Sequence, residues 1–412
     1  MKNYRRNHYV QEWYQRRFLL NDGKEGKFFY LDLSPETVYL KKRKYVRNSL
    51  LRWGPPRCFC QDDLYTTKFG TWESTEIEEK FFGRIDSNVP IAIDYFTNFT
   101  HPSANGEAFQ NLVSYMSIQK LRTPKGLSYL SEIVGRFDEN RVLLEMQRLR
   151  QIYCALWTEC IWSIADATRS DTKFILSDHP VTVYNKTCLP KSKWCLGNHD
   201  PDIAFAATHT LFPLNLEKIL ILTNLFWVRN PYGHPRKPRP NFNPFRGAVF
   251  NFTQIQVGRY LTDIEVNEIN YVIKNRAYRY VAAAKKEWLY PESKIPSECW
   301  DNLGGGYLFM PDPRSISFSS EVIFGYDNKR ADFFDEYGRK PWQPDYDNKS
   351  DRDKEWISFH AYQGEFARVF GPKRRGVAFE FGNIDHSEDS PDYHAYHLRL
   401  EKENKQKLGI NS

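Results

Sequence analysis

The chain has 412 residues, 41% of them apolar and 26% charged, which excludes a disordered chain and suffices for two or three ordinary domains. Its net charge of +7, from 58 Lys and Arg against 51 Asp and Glu, permits a phosphate-rich partner without demanding one. No run of about 18 apolar residues occurs and the N-terminus lacks the apolar stretch of a signal peptide, so the expectation is a cytoplasmic protein with no membrane span.

Aromatic residues are abundant, with 25 Tyr, 29 Phe and 11 Trp, and serve a packed core or a sticky surface equally well. The seven cysteines lack the spacing of a zinc site or a disulfide framework and read as free thiols in a reducing compartment.

In chain order, KFFYLDL and TVYLKK flank Ser34-Pro35-Glu36 and predict a hairpin over 27–42. RWGPPRCFC follows as a loop whose paired prolines exclude helix. Helical spacing of apolar residues predicts a helix over 71–99, kinked or split at Pro90, a second over 106–121 ending before Thr123-Pro124, and a third over 139–167. The period then changes to two. Strands are expected at 173–176, 181–184, 203–211 and 218–223, followed by a loop over 230–246 and a helix over 262–284 with Thr262 as its N-cap. Beyond about Trp288 the texture turns to glycine, proline and charge, and the tail reads as frayed. The fold class is therefore α+β: a helical region packed with a mainly antiparallel sheet in residues 1–290, and a loop-rich C-terminal extension or small subdomain in 291–412, available for a protein partner or self-association.

Four phrases, in order, carry a resemblance. They are NHYVQEWYQRRF near the N-terminus, SIQKLRTP (Ser117 to Pro124), FILSDHPV (Phe174 to Val181) and TLFPLNLEKILIL (Thr210 to Leu222). Together they resemble the family catalogued as domain of unknown function 4238, over roughly residues 5–285. The chain departs from that pattern at Val10-Gln11-Glu12, and has Asp86 where the family typically has Glu. The family's activity is not established, so the resemblance implies a shared scaffold and a shortlist of residues.

That shortlist is His8, Asp86, Gln119, Arg122, Ser177 and Asp178. Asp178 follows an apolar strand and precedes a proline region, a position where sheets expose functional groups, and its carboxylate suits a divalent metal such as Mg²⁺ or general-base work. A turn in which Ser177 and Asp178 bond backbone N–H groups is the structural alternative. His8 suits acid–base chemistry or a structural hydrogen bond. Arg122 suits a phosphate or carboxylate clamp or a helix C-terminus, and Gln119, one turn earlier, lies on the same face. Glu79 and Asp86, two turns apart, are candidates to join Asp178 around a metal, or are a solvated face. His394 and His397 have a metal-compatible spacing without a third ligand.

A basic, aromatic-interleaved surface including Arg16, Arg17, Lys41, Lys42, Arg43 and Lys44 suits a nucleic-acid backbone, or simply a lysine-blunted hairpin edge. No familiar phosphate-loop, dinucleotide, nucleophile-elbow or zinc-protease motif occurs. The leading expectation is a metal-assisted, nuclease-like phosphodiesterase in a bacterial cell, with Asp86 and Asp178 as metal ligands. The alternative is a non-catalytic ligand- or protein-binding module using the same polar pocket.

Overall fold

The computed structural model describes residues 6–20, 26–40, 43–62, 67–69, 72–74, 83–100, 105–134, 139–195, 199–238, 255–316, 318, 322–335, 337–378 and 390–410. The helices among them are α1 (Glu12–Arg16), α2 (Gly83–Thr97), α3 (Gly106–Leu121), α4 (Pro124–Val134), α5 (Glu139–Thr158), α6 (Leu225–Arg229), α7 (Asp263–Arg276), α8 (Lys349–Phe370) and α9 (Pro391–Leu408). Two principal sheets accompany them, so the α+β class holds.

The larger sheet has six strands in the order Thr182–Tyr184, His209–Pro213, Lys218–Asn224, Cys160–Asp166, Gln256–Tyr260 and Val377–Ala378. All neighbours are antiparallel except Gln256–Tyr260, which runs parallel to Cys160–Asp166. Its centre is buried on both faces, which explains why Lys218–Asn224 reads as a nearly unbroken apolar run, KILILTN. The smaller sheet joins Leu176–Ser177, Tyr280–Ala283, Phe28–Asp32 and Leu50–Trp53, all antiparallel.

Several expected elements are corrected. Phe28–Asp32 does not pair with the strand that follows it. It lies between Leu50–Trp53 and Tyr280–Ala283, while Thr37–Leu40 forms a separate hairpin with Arg43–Val46. The third helix stops at Thr158, and Cys160–Asp166 is a central strand paired along its length with Lys218–Asn224. Tertiary pairing has overridden the helical spacing there, as the β-branched and aromatic run CIWSIAD allows. Trp72–Ser74 is a strand, the helix described after it spans Gly83–Thr97 with Pro90 inside it, and Glu79 lies outside the described residues. Helix α7 ends at Arg276, well short of 284, and the chain re-enters the smaller sheet at Tyr280. Thr262 does cap α7, through a capping box with Glu265.

Several described residues beyond 290 join the main body. Trp300, Leu303, Leu308 and Phe309 belong to the main core, and Val377–Ala378 extends the six-stranded sheet. The segment read as loop and frayed tail carries α8 and α9, the latter reaching Leu408 with Leu400 and Asn404 buried. The two helices cross where Gly364 leaves no room for a side chain: a Cβ there would meet the His397 carbonyl at 2.2 Å. No helix among the described residues is long and apolar enough to cross a membrane.

Candidate functional site

The α3–α4 corner is the point at which sequence and structure part company. From Tyr115 to Thr123 every residue is buried, so α3 has no solvated face in its last turns. Polar side chains there must find partners inside the protein. They separate into two groups on opposite sides of the chain.

The first group holds most of the shortlisted residues, bonded to one another. Arg122 donates through both Nη1–Oδ1 (3.1 Å) and Nη1–Oδ2 (3.0 Å) to Asp86, and through Nε to Gln119 Oε1 at 2.7 Å. Gln119 donates to the Tyr9 carbonyl at 2.8 Å, and Gln11 bridges Asp86 and the Tyr115 hydroxyl. Gln119 and Arg122 do share a face, as their spacing requires, but the anion on it is Asp86 of the protein's own α2. The network ties the N-terminal segment to α2 and α3. His8 lies on the strand Arg6–His8, its Nε2 3.6 Å from Glu12.

Asp178 is also occupied. Its two carboxylate oxygens accept the backbone N–H groups of Tyr278 (2.8 Å), Arg279 (2.6 Å) and Tyr280 (2.8 Å). Burial pushes its carboxyl up to about 6, opposed by those three donors and by the charge of Lys125. Asp178 thereby pins the end of α7 to the start of the strand Tyr280–Ala283. This is the structural role weighed for it above. Both carboxylates of the expected metal pair, Asp86 and Asp178, are thus bonded to protein donors. Among the described residues no group of three His, Cys, Asp or Glu gathers as a metal cage, His394 and His397 included.

Two of the proposed nucleic-acid residues are paired with carboxylates of the protein. Arg16 pairs with Glu12 and Arg17 with Asp94. Lys44 stands exposed on the hairpin Thr37–Val46, Arg43 is described through its backbone alone, and Lys41 and Lys42 lie outside the described residues.

The second group faces the other way, into a cavity of about 480 Å³, within the range of small-molecule sites. Asp200 stands at its centre. Its Oδ2 receives Lys120 Nζ at 2.5 Å and lies 3.0 Å from His179 Nε2, while its Oδ1 receives Lys125 Nζ at 2.6 Å. Lys125 donates a second bond to the Arg276 carbonyl at 2.7 Å, and the His179 Nε2 is 3.5 Å from Lys120 Nζ. All four side chains are nearly closed off from solvent, at 2–7% exposure, yet all four line the cavity.

Local chemistry explains how they come together. Thr123 caps α4, its Oγ1 accepting the Gly126 N–H at 3.2 Å, and Pro124 occupies the first helical position, where its missing N–H costs nothing. The same hydroxyl lies 2.7 Å from His179 Nδ1. A Thr123 hydroxyl donating to Nδ1 leaves Nε2–H to donate to Asp200, so the hydrogen bonds fix a neutral imidazole in one tautomer. Burial lowers the His179 pKa to about 3, which keeps it neutral. Gly126 is required by close approach: a Cβ would fall 2.4 Å from the Lys120 carbonyl, so only glycine lets α4 fold back against the end of α3.

Burial lowers the pKa of Lys120, and the neighbouring Lys125 and Arg276 charges act in the same sense against the pull of Asp200. Burial acts to raise Asp200, but the two ammonium groups and His179 outweigh it and hold the carboxyl well below the usual carboxylate range. The cavity wall adds Lys193, Asp202 and Arg148, the last paired with Glu145. Tyr129, Tyr153, Trp194 and Phe205 supply apolar surface.

No family model, curated protein or solved structure matches the chain. The assignment of a site therefore rests on the geometry alone. Of the shortlist His8, Asp86, Gln119, Arg122 and Asp178, none lines this cavity. Two of its polar residues are their immediate neighbours: Lys120 between Gln119 and Arg122, and His179 next to Asp178. The available signal was a lysine among Met116, Ile118 and Leu121 in the last turn of a helix. Nothing local in the sequence marks Asp200.

Proposed function

We propose that the protein binds a small organic anion in the Lys120 cavity, with the Lys120 ammonium meeting the anionic group. The observation that supports this most is the unequal use of the two lysines. Lys125 is committed to Asp200 and to the Arg276 carbonyl, whereas Lys120 bonds Asp200 and borders the cavity with hydrogens left to donate. An ammonium poised in a low-dielectric cavity attracts a carboxylate or phosphate far more strongly than one in water. The aromatic and apolar wall suits the carbon part of such a ligand.

This reading keeps the expected polar ligand-binding module and moves it from Arg122 to Lys120. It replaces the nuclease-like reading as the preferred one, because Asp86, Arg122 and Asp178, on which a phosphodiesterase chiefly rested, are bonded to protein groups. The resemblance over residues 5–285 is compatible with it, since Lys120 and His179 lie inside two of the four phrases.

Thermal-shift and calorimetric titration against small carboxylates, organic phosphates and short oligonucleotides test it. The expected result is stabilisation by one class of small anion, with affinity reduced at least tenfold in Lys120→Met, as loss of a charged hydrogen bond implies. Binding of oligonucleotides alone, unaffected by Lys120→Met, would return the weight to a nucleic-acid surface.

A further inference from the structure

Resting on that cavity reading, we propose that Lys120 is a nucleophile, forming an imine with a small aldehyde or ketone that carries an acidic group. Three features of the geometry point this way. The amine sits at the edge of a cavity large enough for such a ligand. A proton acceptor, Asp200 Oδ2, is 2.5 Å from it. A second ammonium, Lys125, is bonded to the other oxygen of the same carboxylate at 2.6 Å, and its charge opposes the charged form of Lys120. Burial acts on Lys120 in the same direction. Desolvation and a neighbouring cation are the two means by which a lysine becomes nucleophilic near neutral pH.

The arrangement supplies each step. Lys120 passes one proton to Asp200, and the free amine nitrogen attacks the carbonyl carbon. The C–N bond forms while the carbonyl π pair moves to oxygen, which takes a proton to give a carbinolamine. Asp200 takes a second proton from the nitrogen and passes it to the hydroxyl group, which leaves as water while the nitrogen lone pair forms the C=N bond. Overall, a carbonyl compound and an ammonium give a protonated imine and one water, with charge conserved and no oxidant or reductant consumed. The charge of Lys125 on the other oxygen favours return of Asp200 to the carboxylate after each transfer. The ligand's acidic group is left to Lys193 of the wall, since Arg148 is paired with Glu145.

The test uses the full chain with pyruvate and with glycolaldehyde phosphate as probes. Each is trapped by sodium borohydride, which reduces an imine to a stable secondary amine, and the modified peptides are mapped by mass spectrometry. The expected result is one adduct per chain, on Lys120, at carbonyl concentrations at least tenfold below those that label any other lysine. Lys120→Arg, folded by circular dichroism, should lose that adduct. Lactate, which has the anion without the carbonyl, should protect Lys120 from pyruvate without itself being trapped.

Adducts scattered over exposed lysines, with Lys120 unlabelled although lactate or pyruvate binds in the cavity, would overturn the imine and leave the anion reading standing. If neither the carbonyl probes nor the non-carbonyl anions bind, both fall together. Mapping on the wild-type chain makes the result independent of whether a variant folds.

Discussion

Asp200→Ala should destabilise the fold by about 3–5 kcal/mol, the usual cost of removing one partner from a buried ion pair. The reason is specific to this corner. Lys120 and Lys125 are closed off from solvent, and Asp200 is the carboxylate that both reach. Without it two ammonium groups face each other across a few ångströms, together with a histidine that has lost its acceptor. Chemical denaturation of wild type and variant measures the effect as a lower midpoint at unchanged slope.

The pH dependence carries a definite sign. Asp200 has a folded pKa well below its unfolded value, so its stabilisation is present above about pH 4 and is lost as pH falls towards the folded pKa. The variant should lack that acid-side loss. Replacing the whole charged group, as in Lys120→Met, Lys125→Met, Asp200→Leu, should recover most of the stability, because buried ion clusters are often no better than well-packed apolar side chains. If the single Asp200→Ala change proved neutral, the picture of a dry, mutually dependent cluster would be wrong.

Asp178→Ala is expected to cost about 3 kcal/mol, since three backbone N–H groups lose their acceptor and each such loss costs roughly 1–3 kcal/mol when water cannot replace it. The sign of its pH dependence is opposite to that of Asp200. Burial raises the folded pKa to about 6, above the unfolded value, so the contribution of Asp178 is fully present below about pH 4 and declines as pH rises through 6. The deficit of the variant should therefore be largest near pH 4 and narrow towards pH 7. Denaturation curves at several pH values read this directly. A deficit that widened with pH would mean that the three N–H donors outweigh burial and hold the carboxylate charged.

These two aspartates illustrate what the sequence could and could not convey. The apolar run of Lys218–Asn224, the cap at Thr262 and the helix Gly106–Leu121 were all legible, because each depends on local spacing or local chemistry. The strand Cys160–Asp166 was not, since its helical spacing continues that of α5 and its partner lies about 60 residues away. The smaller sheet was hidden for the same reason: Phe28–Asp32 pairs with Tyr280–Ala283, across most of the chain.

At the site, the phrases SIQKLRTP and FILSDHPV drew attention to the right two segments and the wrong side chains. Gln119, Arg122 and Asp178 look like chemistry because they are polar amid apolar neighbours, yet each satisfies a structural bond. Lys120 and His179, one residue away, point into the cavity. Which of two adjacent polar residues faces a cavity is decided by how the α3–α4 corner packs, and Asp200, which joins them, comes from a distant loop.

The most direct test of the account is a crystal structure of the protein soaked with the small anion that stabilises it most. The account predicts ligand density inside the 480 Å³ cavity, with an anionic oxygen within hydrogen-bond distance of Lys120 Nζ. A ligand bound elsewhere, with the cavity unchanged and Lys120 still bonded to Asp200 alone, would contradict it.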